Sequence, residues 1–556
     1  MLPRLLAKAS ECNLASSFTS GTEGMGMNQN SLCRKCLRGV YSCHWKHQKL
    51  SMHRCACCWF SVLAFVFLLT GGWIYVCWAA FNDRDEVNWE AFRYLKRWVN
   101  WFMVVVILSS VMVSYCFLLL VFALLQVALR EALDLHCIHK VLLFAASLIT
   151  TALVVGICIK WKEEWDTVVI SLRMAAPFLQ LGGVVAVSLL GWFVFQRLFM
   201  ASRRVSRVLI FMAYVVVVAG VFLSPLLISS PCIVEAHRLP PKPALLGHRG
   251  APVLAPENTM LSFKKSLECG VTAFETDVML SQDEKPFLMH DKSLLRTTNV
   301  MERFPERKSQ MGDNYTLEEL KMLNAGDWFL KSDPFHTVSM LSEEDRKAIR
   351  NQTIPSLEEL LTLAKEYNTS LIFDLKTDST NAVYTDHVVQ TILNSSILQN
   401  LVLWLPPQNR DLVMRKAPGF RQVYANRSEM EADGGNQLNL KYSSLTTQEI
   451  GELRQRNVSL NLYVVNEPWL FSLLWCSGVT SVTTNACHIF KNMTQPVWVL
   501  APDTYRVIWI TVDVAFLLSI LGLFFLQRWR FNRGRESEEH RNGYSTWVTQ
   551  QMNTIL

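Results

Sequence analysis

Charge is scarce in this chain: Asp, Glu, Lys and Arg make up 18% of its 556 residues, against 51% hydrophobic ones. An ordinary soluble protein of this size carries more, so part of the chain belongs in lipid. Nothing in the first 57 residues reads as a cleavable leader, since charges are scattered there and no apolar core is followed by small residues. The first apolar run should therefore remain as an uncleaved anchor. No simple repeat period occurs, which leaves no ground for a repeat architecture. Ionisable groups are almost missing from the centres of the fourth and fifth apolar runs, and that disfavours a channel or transporter.

What is present begins with six runs long enough to cross a bilayer core, which takes roughly 20 helical residues. They are Cys58 to Phe81, Phe102 to Leu125, Val141 to Ile159, Ala175 to Phe195, Val208 to Ile228 and Val507 to Leu526. Arg34, Lys35, Arg38, Lys46, Lys49 and Arg54 precede the first, and Arg528, Arg530, Arg533 and Arg535 follow the last. Basic flanks stay inside, so both tails are expected in the cytoplasm, in agreement with an even span count. The loop with Arg197, Arg203, Arg204 and Arg207 falls on the same side, while Asn82 to Arg97 and Lys160 to Arg173 mix acids with bases.

By that count the insert from Ser229 to Tyr505 lies outside, in the extracellular space or a lumen. Asn-x-Ser/Thr triplets begin at Asn314, Asn351, Asn368, Asn394, Asn426, Asn457 and Asn492, all inside the insert. Their confinement favours a glycoprotein domain on the oxidising side. The expected layout is a Cys-rich cytoplasmic tail (1–57), five spans (58–228), an external domain (229–506), a sixth span (507–526) and a cytoplasmic tail (527–556) in a plasma membrane or endomembrane. Cys232, Cys269, Cys476 and Cys487 of the insert could form disulfides whose pairing the sequence leaves open. In the first tail, Cys33-x-x-Cys36 with Cys43-His44 has zinc-like spacing, and Cys55, Cys57 and Cys58 beside the membrane equally suit S-acylation. The net charge of +7 calls for no nucleic acid, since the bases cluster beside the spans, near anionic lipid headgroups.

Within the insert, short apolar runs alternate with helical patterns. Candidate strands are Ala244 to His248, Thr272 to Val278, Pro286 to His290, Ser370 to Leu375, Leu401 to Leu405, Phe420 to Tyr424, Val458 to Val465 and Val479 to Thr484, with Leu438 to Tyr442 competing for the sixth place. Helix patterns cover Thr259 to Glu268, Ser356 to Glu366 and Thr447 to Arg456. Eight strands alternating with helices over about 250 residues predict an α/β fold, a (β/α)₈ TIM-type barrel, with a small insertion at about 291–369.

A barrel gathers its ligands at the carboxyl ends of its strands, and residues two apart on a strand share a face. Glu275 and Asp277 in "FETDV", and Asp374 and Lys376 in "IFDLK", should then face one mouth, where His248 and His290 end two further strands. Carboxylates in an apolar strand are costly to bury alone, and Glu275, Asp277 and Asp374 are hard oxygen ligands suited to a divalent metal ion, Ca²⁺ or Mg²⁺. Two histidines beside them make a candidate general acid and general base. Arg249 and Lys376 bring positive charge suited to a phosphate oxygen, and Glu257 of "PENT" could orient a substrate hydroxyl or a catalytic base.

At these residues the sequence resembles the glycerophosphodiester phosphodiesterase family, in layout its vertebrate multi-pass branch with six spans and an external catalytic domain. The likeness runs through "HRGAPVLAPENT", "FETDVMLSQDEKPFLMHDKSLLRTTNV", "LKMLNAGDWF", "TIPSLEELL", "IFDLK", "YVVNEPWLF" and "GVTSVTTN", and through "APFLQLGG" and "LISSPCI" of the membrane portion. The resemblance implies metal-dependent hydrolysis of glycerophosphodiesters or lipid headgroups, with His248 and His290 as the acid/base pair, Glu275 and Asp277 as metal ligands and Tyr463 among the substrate contacts. Two positions depart from the family pattern. The third ligand is commonly glutamate and here is Asp374, and late signatures that commonly read Trp-Thr-Val-Asn and Thr-Asp here read Tyr463-Val464-Val465-Asn466 and Thr484-Asn485. Implied substrates span glycerophosphoinositol, glycerophosphocholine, glycerophosphoethanolamine, lysophospholipids and glycosylphosphatidylinositol anchors. The altered third carboxylate also admits a silent barrel serving as a receptor or scaffold.

Overall fold

A computed structural model of the chain describes residues 39–42, 55–128, 133–201, 203–376 and 382–555. The Cys33, Cys36, Cys43 and His44 grouping lies outside these residues, as do the side chains of Cys55 and Cys57. Among the described residues six helices are long and apolar enough to cross a membrane: Cys58–Leu95, Trp101–Gln126, Cys137–Lys160, Glu164–Met200, Arg204–Leu226 and Pro502–Arg535. Each contains one of the six apolar runs, or all but its last residues.

The first differs from expectation at its end. An α-helix over Cys55–Ala79 passes through a 3₁₀ turn at Ala80–Asp83 into a second α-helix, Arg84–Leu95, where the sequence suggested a loop. Lys96 stops it in a left-handed conformation (φ 53°), its N–H bonded to the carbonyl of Phe92.

The chain divides into two compact units, residues 1–78 with 103–161, and residues 79–102 with 162–556. In the first, Leu63, Val66, Met112, Cys116, Leu119 and Leu143 are buried together, and the Trp73 indole donates to Ser109 Oγ at 2.8 Å. In the second, three membrane helices meet at Phe195, Tyr214 and Ile520. The Tyr214 hydroxyl donates to the carbonyl of Val187 and packs on Gly191, where a Cβ would lie 2.6 Å from it.

The rest of the second unit is a barrel. Its strands are β1 (Ala244–His248), β2 (Ala273–Leu280), β3 (Pro286–Leu288), β4 (Ser370–Leu375), β5 (Val402–Trp404), β6 (Arg421–Gln422), β7 (Gln437–Lys441), β8 (Ser459–Tyr463) and β9 (Ser481–Thr484). Eight of them form a parallel sheet in the order β6-β5-β4-β2-β1-β9-β8-β7. A bridge between Tyr424 and Leu438 joins β6 to β7 and nearly closes the ring. Both sequence candidates for the sixth stave are therefore present.

The ninth strand corrects the expectation for Pro286 to His290. β3 pairs antiparallel with β2, because the five residues between them cannot carry the crossover of a dozen or more that parallel strands need. The parallel register sets Glu275 beside Ile372 and Asp277 beside Asp374. Below the mouth, Leu246, Ala273, Ile372 and Val423 fill the interior with Leu403 and Leu405.

Outside the ring, Leu357–Glu366 and Thr447–Gln455 each begin with a capping box, Ser356 with Glu359 and Thr446 with Glu449. The segment between β3 and Ser356 has its own core around Phe287, Leu294, Tyr315 and Leu323. Disulfides join Cys232 to Cys476 and Cys269 to Cys487.

Candidate active site

The groups of the site come from the strands and from the loops that follow them. β1 ends at His248, after which Arg249 (φ 54°) and Gly250 (φ 89°) turn the chain sharply. Only glycine fits the second position, since a Cβ there would lie 2.5 Å from Ser262 Oγ and 2.6 Å from a backbone carbon. The turn aims the Arg249 N–H at Glu275 Oε2, 2.9 Å away. Glu275 and Asp277 project inward from β2, two residues apart. The hairpin return of β3 explains how His290 reaches them: Met289 N donates to the Asp277 carbonyl at 3.0 Å, so the next residue lies beside these acids.

The two imidazoles have different partners. His248 Nδ1 lies 2.6 Å from Asn485 Oδ1, and its Nε2 is 3.9 Å from Glu275 Oε2. His290 Nδ1 lies 2.8 Å from Asp291 Oδ1. Arg296 holds Asp291 through Nε at 2.7 Å and grips both oxygens of Glu257 at 2.7 and 2.8 Å. Arg249 adds a 3.0 Å bond to Glu257. Asp277 accepts from Asn258 at 2.9 Å and faces Lys376 at 3.1 Å.

Burial sets the charges. It lowers His248 to about 3, helped by the cation on Arg249, so this imidazole is neutral at physiological pH. Burial also raises Glu275 to about 8, with Asp277 adding repulsion. For Asp277 the same burial is outweighed by His290, Arg249 and Lys376, which hold it below the usual carboxylate range. Glu257 is likewise opposed by burial yet lowered to about 2 by Arg296 and Arg249. Tyr463, at the cavity wall, is raised by burial and then by Asp374.

These groups line one cavity of about 470 Å³. It brings together every candidate the sequence offered: His248, His290, Glu275, Asp277, Asp374, Arg249, Glu257, Lys376 and Tyr463. Sequence reasoning missed Asn258, Asp291, Arg296 and Asn485, and it missed Asn82, Asp85 and Trp89 of the segment after the first span, which share the wall or touch it. Asp291 follows His290 directly, the one signal that could have found it.

A divalent cation fits part of this donor set. Glu275 and Asp277 are hard oxygen donors on one face of one strand, and Glu275 is raised first by burial and then by repulsion from Asp277, a cost that a cation offsets. Asp374 stands apart. Its side chain is 49% exposed against 2% for Asp277, and the Lys376 ammonium joins the two at 2.8 and 3.1 Å. Among the described residues no three His, Cys, Asp or Glu side chains form a metal-binding group. The fit is thus to a grip of two carboxylates, with Asp374 held by the lysine.

A parallel barrel with such a mouth, carried on membrane helices, has the layout of a membrane-bound barrel enzyme. The chain belongs to the glycerophosphoryl diester phosphodiesterase family, which it matches over residues 248–488. It is 44% identical to the mouse protein "Glycerophosphoinositol inositolphosphodiesterase GDPD2", over 93% of this chain and 96% of that one. It is 40% identical to the human "Glycerophosphodiester phosphodiesterase domain-containing protein 5", covering 90% of this chain and 84% of that one. Among solved structures it is similar to a phosphodiesterase of Oleispira antarctica in complex with sn-glycerol-3-phosphate, at 23% identity, 45% coverage of this chain, 95% of that one and a TM-score of 0.36.

Proposed function

We propose that the protein hydrolyses small glycerophosphodiesters, glycerophosphoinositol first among them, by acid/base catalysis between His248 and His290. The carrying observation is the pair of imidazoles in one cavity with unlike partners. His248 gives its Nδ1 hydrogen to an amide oxygen and keeps a bare Nε2, the form of a general base that takes a proton from the attacking oxygen. His290, backed by a carboxylate, suits the acid that protonates the departing alkoxide.

Glu275 and Asp277 would hold a Ca²⁺ or Mg²⁺ ion, which would polarise a phosphoryl oxygen, while Asp374 stays on Lys376. Arg249 and Lys376 neutralise charge that grows on the non-bridging oxygens. Glu257 keeps Arg249 in place, and Tyr463, which lines the same cavity, is a further substrate contact. The choice of glycerophosphoinositol follows the activity in the name of the mouse relative. The barrel is assigned to the extracellular or lumenal face, with both termini in the cytoplasm. Two disulfides and the confinement of the sequons to the insert support that assignment.

The purified full-length protein should be incubated with glycerophosphoinositol, glycerophosphocholine and lysophospholipids, with and without chelator, and the products read by mass spectrometry. Hydrolysis of glycerophosphoinositol that stops on chelation and returns with Ca²⁺ or Mg²⁺ is the expected result. No turnover of any diester would overturn the proposal.

A further inference from the structure

The segment Ala79–Phe102, between the first and second spans, is locked onto the barrel mouth. Asn82 accepts from Asn466 N at 2.8 Å and donates to the Val464 carbonyl at 2.8 Å. Arg84 pairs with Glu467 at 2.8 Å, and the Tyr442 hydroxyl donates to Asp83. So anchored, the helix Arg84–Leu95 brings two side chains to the partners of both histidines.

Asp85 Oδ2 accepts from Asn485 Nδ2 at 3.3 Å. With Asp85 ionised its carboxylate only accepts, so the amide turns its nitrogen to Asp85 and its oxygen to His248. That oxygen in turn requires a hydrogen on His248 Nδ1 and leaves Nε2 bare toward the cavity. Trp89 acts on the other ring. Its Nε1 donates to Asp291 Oδ1 at 3.2 Å, the oxygen that His290 Nδ1 also meets, and its indole stands edge-on to the imidazole with centroids 5.7 Å apart.

We infer that this membrane-tethered helix is a working part of the active site, with Asp85 as a positioning residue that fixes the tautomer of His248 through Asn485, and Trp89 as one that steadies His290. The inference rests on the proposed roles of the two histidines. It makes hydrolysis depend on a segment far from the catalytic domain in sequence and continuous with the first span.

The test uses full-length protein in detergent with glycerophosphoinositol as substrate. Asp85→Asn keeps the shape and removes the constraint on the amide, so kcat should fall on the order of 10²-fold while KM changes less than about threefold. The double variant Asp85→Asn/Asn485→Asp places the carboxylate directly on His248 and an amide on the helix, and should recover most of the loss. Tyr94→Ala, at an exposed position of the same helix, should leave both constants unchanged. Wild-type kcat in Asp85→Asn would overturn the inference, as would a loss that the double variant does not recover. An inactive wild-type protein would instead overturn the functional reading, and this inference with it.

Discussion

Glu257 is ionised in the fold because Arg296 and Arg249 together outweigh the burial that opposes it, lowering it from 4.5 to about 2. A carboxylate depressed in this way stabilises the folded state above pH 4.5, and the contribution is lost as pH falls toward 2. Glu257→Gln should therefore be less stable than wild type by roughly 2–4 kcal/mol at pH 7, and the gap should narrow as pH falls below about 4.5. Thermal unfolding of both proteins from pH 7 down to pH 3 checks this. Gly250 gives a second prediction, because its positive φ and the closeness of Ser262 leave no room for a methyl group. Gly250→Ala should lose about 2 kcal/mol or more and much of its turnover, since the strain falls beside the Arg249 N–H that meets Glu275. At this scale the sequence was informative wherever strand alternation alone decides direction, as at Glu275 and Asp277. It marked Asn485 as a departure but was silent on its contact with His248, 237 residues away, and on Arg296, which reaches Glu257 and Asp291 only through the geometry of a loop.

Among the elements, capping residues make the cleanest forecasts. Thr446 accepts from Glu449 N while the Glu449 carboxylate returns to Thr446 N, and neither residue lines the cavity. Thr446→Ala should cost about 1 kcal/mol of stability and leave kcat unaltered, which thermal unfolding and an activity assay would measure together. The helices over Met260–Glu268, Leu357–Glu366 and Thr447–Gln455 were legible because each has a Thr or Ser cap before an apolar face. β6 was legible only as a longer run, Phe420 to Tyr424, since the two residues Arg421 and Gln422 that pair are too few to mark the strand's limits. β3 was found as a strand but read as a barrel stave, although the shortness of the link Ser281 to Lys285 already pointed to a hairpin. The helix Arg84–Leu95 was hidden in a loop of mixed charge because its partners, Asn466, Glu467 and Asn485, lie about 380 to 400 residues further along.

For the whole molecule, the two disulfides tie the start of the barrel domain to its end, across 244 and 218 residues of sequence. Replacing Cys232 and Cys476 together by Ser should remove roughly 3 kcal/mol of stability, seen as a lower unfolding temperature that reducing agent reproduces in the wild type. Six apolar runs, seven confined sequons and the four cysteines of the insert were all readable from the sequence, whereas the pairing of those cysteines needed the fold. The account as a whole turns on the two imidazoles sharing one cavity. Its most direct test is the turnover of glycerophosphoinositol by purified full-length His290→Ala and His248→Ala proteins, each confirmed as folded by its unfolding temperature. A loss of at least about 10²-fold in kcat for both variants is predicted; turnover at the wild-type rate in either would contradict it.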